Sequence, residues 1–179
     1  MKFLTGGLAG LVIHEAGHLV FDVAFDARPR LEGIRFGPFP FFAIEHRPDL
    51  TPRRELTISS AGFWMQSAGS EWLLSASPRL RESHAPVAKG VLAFNVLNSL
   101  GYAIVACAKA GPLERDTRGI SVASGIDERA IGAIVAAPAL LDAWRYFRPE
   151  ARWAVWSSRA AKIVSVLLIA KTQRTAPNE

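Results

Sequence analysis

The sequence predicts a mostly α-helical fold, a polytopic membrane helical bundle forming a single domain over residues 1–179, and three observations predict it. The charges are confined largely to loops between long apolar blocks; those blocks approach the length of a bilayer span; and they are rich in glycine and other small residues. A spanning helix needs about 20 mostly apolar residues at a rise of 1.5 Å each. Residues 6–25, 56–77 and 90–108 meet that length, and the last of these runs for 19 residues without a charge. Residues 130–144 and 153–170 are shorter and weaker. They span if flanking groups anchor at the interface, and Trp144, Trp153 and Trp156 near their ends read as such anchors or as ordinary packing.

Composition removes several other classes. Half of the 179 residues are hydrophobic, too many for a chain that cannot bury a core, so disorder is excluded. Cys107 is the single cysteine, which excludes a disulfide scaffold. A net charge of +5, dispersed along the chain, gives no footprint for nucleic acid. A soluble bundle would need enough protein to wrap helices that are apolar all round, and the chain is short for that. Glycines 6, 7, 10, 17, 62, 69, 90 and 101 fall inside the blocks. Each would cost about 1 kcal/mol against alanine in a soluble helix, but small residues let membrane helices approach closely. A cleaved signal peptide is not expected, because the first apolar run flows directly into the most chemically active part of the chain.

That part is Ile13-His14-Glu15-Ala16-Gly17-His18-Leu19, an H-E-x-x-H sequence inside the first apolar helix. Four residues apart, His14 and His18 share one helix face about 6 Å apart along the axis, a separation that one metal ion can bridge. Glu15, about a third of a turn away, reaches the water on such an ion rather than the ion itself. The pair is flanked by Leu11, Val12, Leu19 and Val20, and ionisable groups at membrane depth mark function by default. A third protein ligand is required. His46 and His84 lie in polar loops, and the acidic candidates are Asp22, Glu71, Glu114 and Asp116. Asp22, one turn beyond His18, suits a role orienting an imidazole N–H. Spacing alone does not choose among the others.

Four segments taken together resemble the site-2 protease family of intramembrane zinc metallopeptidases. They are His14–His18 in the first long helix; Gly33-Ile34-Arg35-Phe36-Gly37-Pro38-Phe39, similar to a strand and Gly-Pro turn; Arg54-Glu55 leading into Leu56–Gly62, similar to the start and Ala-Gly of the second core helix; and Asn95-Val96-Leu97-Asn98 followed by Asp116. The resemblance covers a core of about 6–119 and leaves C-terminal helices over about 130–170. It departs from the family at Phe63, where a proline is usual, and in lacking Asn-Pro and Leu-Asp-Gly around the third ligand.

The resemblance implies a short β-hairpin after the first helix, at residues 31–47, whose edge takes an extended substrate strand. It implies Zn²⁺ on His14, His18 and Asp116, with no cofactor beyond the metal, and Glu15 as the general base of peptide-bond hydrolysis. Asn95 or Asn98 is the side-chain donor to the oxyanion, or else the two serve only to hydrogen-bond between helices. The substrate is a membrane protein or peptide, and the location a bacterial cell membrane, crossed several times. Three alternatives stand beside it: a non-proteolytic membrane protein that keeps a metal site for structure or sensing, a soluble helical metal-binding domain, and a different membrane metallopeptidase in which Glu71 is the third ligand.

Overall fold

The computed structural model describes residues 1–36, 39–47 and 49–175, with the side chains of 34–36, 39–43 and 169–175 left undescribed. The chain is mostly helical, with one two-stranded sheet. In order come α1 (Lys2–Ala24), β1 (Arg30–Phe36), β2 (Phe39–Glu45), α2 (Pro52–Ala76), α3 (Pro86–Ala108), α4 (Asp116–Ser124), α5 (Glu128–Phe147) and α6 (Arg152–Thr175). The strands pair antiparallel, from Arg30 opposite Glu45 to Phe36 opposite Phe39. The expected Gly37-Pro38 turn lies outside the described residues.

Helix boundaries follow local chemistry. Pro52 and Pro86 open α2 and α3, where a missing N–H is harmless, and the Thr51 hydroxyl accepts from the Arg54 amide. Lys109 ends α3 and Gly125 ends α4 in the left-handed region, and the Asp127 carboxylate caps α5 by accepting from the Arg129 amide. Helix α4 was not expected: residues 109–129 read as a charged loop. At nine residues, with Gly119 in its middle, α4 is too short and polar to announce itself by periodicity.

Helix α1 is inside out by the standard of a soluble protein. Its buried residues are Gly6, Gly10, His14, Gly17, His18 and Asp22, whereas Leu4, Leu8, Val12, Val20 and Val23 are more than half exposed. The same inversion recurs on α6, where Ser158 and Lys162 face inward and Trp153, Trp156, Ile163 and Leu167 face outward. Helices α1, α3 and α5 are long and apolar enough to cross a membrane. Residues 56–77 were expected among these and are not, while the weaker 130–144 block belongs to one. The reason is composition: α2 carries Ser59, Ser60, Gln66 and Ser70, and these are buried because it packs against α1, α3, α4, α5 and α6.

Helices α1 and α3 meet backbone to backbone. A methyl group on Gly6 would run into the Val87 carbonyl, and one on Gly90 into the Phe3 carbonyl, with Gly7 N at 2.9 Å. Gly101, also on α3, has open space at the same place. Replacing Gly90 by leucine should therefore lower the thermal stability of the purified protein, by about 1–3 kcal/mol or more for forced overpacking. Gly101→Ala should be neutral or raise it by about 0.5–1 kcal/mol. Equal unfolding midpoints for Gly90→Leu and the parent would contradict the close crossing.

Candidate metal centre

Helix α1 presents His14 and His18 on its buried face, 2% and 6% exposed, against the middle of α2. The contact depends on Gly62, since a methyl group there would collide with His14 Cε1 and stand 2.6 Å from both His14 Nδ1 and His18 Nε2. Gly17 on α1 reciprocates by lying against the Ala61 carbonyl. Bare backbone on both helices is what admits two imidazoles into one interface.

The third member arrives from 98 residues beyond His18, at the first residue of α4. Asp116 Oδ2 lies 3.1 Å from His14 Nε2 and 3.4 Å from His18 Nε2, and the two Nε2 atoms are 3.2 Å apart. Bonds of 2.0–2.1 Å at tetrahedral angles separate zinc ligand atoms by about 3.3 Å, and this nearly equilateral triangle has the size of the base of such a site. Tautomer chemistry agrees. The Ile58 carbonyl accepts from His18 Nδ1 at 2.8 Å, so a neutral His18 keeps its Nε2 lone pair toward the triangle. Among the described residues, no other three His, Cys, Asp or Glu side chains converge in this way. The group could hold a metal ion. With no ion bound and His18 protonated instead, burial alone would raise the Asp116 carboxyl, but the charge of His18 and hydrogen bonds from both imidazoles outweigh it and hold the group well below the usual carboxylate range.

The chain matches no family model, no curated protein and no solved structure. The triangle opens on a cavity of about 520 Å³. Glu15 lines it beside the two histidines, Leu11, Ile58, Leu97 and Val105 give it apolar walls, and Ile44 to His46 bring the end of the hairpin to its edge. Asn98 also lines it, with a buried Nδ2 that has no hydrogen-bond partner.

Other expected residues go elsewhere. Asn95 is not at the cavity: its Nδ2 donates to the Gln66 carbonyl at 3.2 Å and to Ser70 Oγ at 3.0 Å, so it joins α3 to α2. Glu71, the alternative third ligand, is occupied by Arg145, Arg159 and Lys162, at 2.6, 2.8 and 2.9 Å. Asp22 does not orient His18, whose Nδ1 is held by Ile58. Fully buried, Asp22 instead has Oδ1 3.4 Å from His46 Nδ1.

His46 reads from the sequence as a loop residue, yet it is wedged between α1 and α2, with Nε2 2.6 Å from Glu55 Oε2. Tyr102 carries no signal in the sequence, yet its ring stands 5.1 Å from Phe63 and 6.1 Å from His14. Nothing in a single sequence marks either one, because both act through packing between segments distant along the chain.

Two outcomes follow. Gly62→Ala, which leaves His14, His18 and Asp116 in place, should weaken binding of an added divalent metal as much as replacing His14 does, read as metal per chain after dialysis; parental metal binding would contradict the contact. The second concerns His46. The hydrogen bond to Glu55 raises its pKa, burial opposes this, and the charges of Glu55 and Asp22 add to the rise. A folded value above the unfolded one of about 6.5 means that its stabilisation is fully present below pH 6.5 and is lost as pH climbs through the raised value. The gap in unfolding midpoint between the parent and His46→Gln should shrink over that window. A gap independent of pH would contradict the ion pairs.

Proposed function

We propose that this chain is a zinc-dependent intramembrane endopeptidase of the site-2 protease type. The observation that carries the reading is the donor triangle of His14, His18 and Asp116, sized for a tetrahedral ion, with Glu15 on the same cavity. Mostly nitrogen donors, with one carboxylate and room for a fourth ligand, suit catalytic zinc. The outward apolar faces of α1, α3 and α6 suit a lipid surrounding and passage through a bacterial cell membrane several times.

Zinc, when bound, supplies Lewis acidity that activates water near neutral pH and polarises a carbonyl. The chain's own residues do the rest. Ile58 fixes the His18 tautomer so that its lone pair points to the triangle. Glu15 takes a proton at its carboxylate and delivers it to the leaving amine. Asn98, unpartnered, donates to the developing oxyanion. A membrane protein or peptide segment must be unwound to enter, because helical carbonyls are already hydrogen-bonded, and the end of the hairpin lies where an extended strand would pass.

Glu15→Gln should keep full zinc content and cut cleavage of a membrane-spanning reporter by about 10²–10⁴-fold. Asp116→Ala should lose zinc while Glu71→Ala retains it. Equal cleavage by the parent and Glu15→Gln would remove the hydrolase reading, and zinc bound without turnover in the parent would assign the site to structure or sensing.

A further inference from the structure

The residues on either side of Asp116 are tied to one buried carboxylate on another helix. Arg115 donates to Glu128 twice, from Nε to Oε1 at 2.6 Å and from Nη2 to Oε2 at 2.8 Å. Thr117 Oγ1 donates to the same Oε1 at 3.1 Å. All three side chains are buried, with Arg115 at 7%, Thr117 at 0% and Glu128 at 5% exposure. Arg115 extends the hold backward along the loop, since its Nη1 donates to the Pro112 carbonyl at 2.7 Å and the Gly111 carbonyl at 3.4 Å. Helix α4 has no side-chain cap at its start. The clasp from α5 fixes the backbone there instead.

The first turn of α5 makes two more connections, both to the end of α3. Asp127 pairs with Lys109 at 2.6 Å, and Arg129 Nε donates to the Cys107 carbonyl at 3.2 Å. Asp127, which caps α5, and the first two residues of the helix, Glu128 and Arg129, thus hold the segment that carries Asp116 and the helix that carries Asn98 and Tyr102. With backbone anchored at both neighbours, the two short torsions of Asp116 are left to aim its carboxylate, and they aim it 3.1 Å from His14.

We propose that Glu128 is a positioning residue for the third metal ligand, holding Asp116 at the triangle without touching metal or substrate. This rests on the metal-centre reading above. Partners outside the ligand set typically govern metal affinity by about 10–100-fold when removed.

The test is titration of the full-length, metal-free protein in detergent with Co²⁺ alone, followed by visible absorption, which reports both affinity and ligand geometry. Glu128→Gln keeps the side-chain shape and loses the charge. It should bind Co²⁺ about 10–100-fold more weakly with shifted bands, and Glu128→Asp should recover part of the loss. Asp142→Asn removes an equally buried, ion-paired acid from the same helix and should bind as the parent does. Parental affinity and bands in Glu128→Gln would overturn the proposal, as would an equal loss in Asp142→Asn. If Glu128→Gln does not fold, as judged by circular dichroism, Thr117→Val carries the test: it leaves the Arg115 pair intact and should weaken Co²⁺ binding several-fold, and parental binding would overturn the proposal. Failure of the parent to bind Co²⁺ would sink the metal reading itself, an outcome visible before any variant is compared.

Discussion

Everything at the centre of this molecule depends on two imidazoles being pressed against bare backbone. His14 and His18 cannot face α2 unless α2 offers no side chain where they arrive, and Gly62 is that place. Close approach then propagates. Gly17 lets α1 lie down on Ala61, and Gly6 and Gly90 bring α1 onto α3 at the far end of the same helix. The face of α1 that a soluble protein would fill with leucine is filled with glycine, histidine and aspartate. The leucines and valines go outward. Such an arrangement is stable where the surroundings are as apolar as those side chains and the interior holds the polar chemistry.

An interior of this kind must keep its charges matched, since an unpaired buried ion is costly. Glu71 and Asp142 share Arg145 and Lys162, with Ser158 donating to Asp142 at 2.5 Å, so α2, α5 and α6 are joined through one cluster. Arg115 and Glu128 form a second matched pair, and Asp22, His46 and Glu55 a third. Each draws its partners from different segments of the chain. The clusters act as registration marks as much as sources of energy: a helix that slid by one turn would leave several ions without counter-charges.

The parts of this architecture that local sequence encodes were legible. The charge-free blocks became helices because composition over 20 residues is a local property, and the i, i+4 spacing put His14 and His18 on one face for the same reason. The hairpin expected at residues 31–47 is present as β1 and β2, though its Gly37-Pro38 turn lies outside the described residues. What failed was relational. Asn95 and Asn98 are three apart and looked equivalent, yet a small rotation of α3 sends one to Gln66 and Ser70 and the other to the cavity. The 56–77 block read as a span by length, whereas its buried serines and glutamine belong to a helix enclosed by other helices. Helix α4 was missed because nine residues around a glycine show no periodic pattern, and with it went the clasp that aims Asp116.

The spacing of the donors along the chain has a bearing on synthesis. His14, Glu15 and His18 emerge within the first two dozen residues, but Asp116 follows His14 by 102 positions, and its clasp on Glu128 comes later still. A ribosome that has completed α1, α2 and α3 has made two members of the triangle without the residue that closes it. The triangle can close only once α4 has been made, and its clasp on Glu128 only once α5 follows.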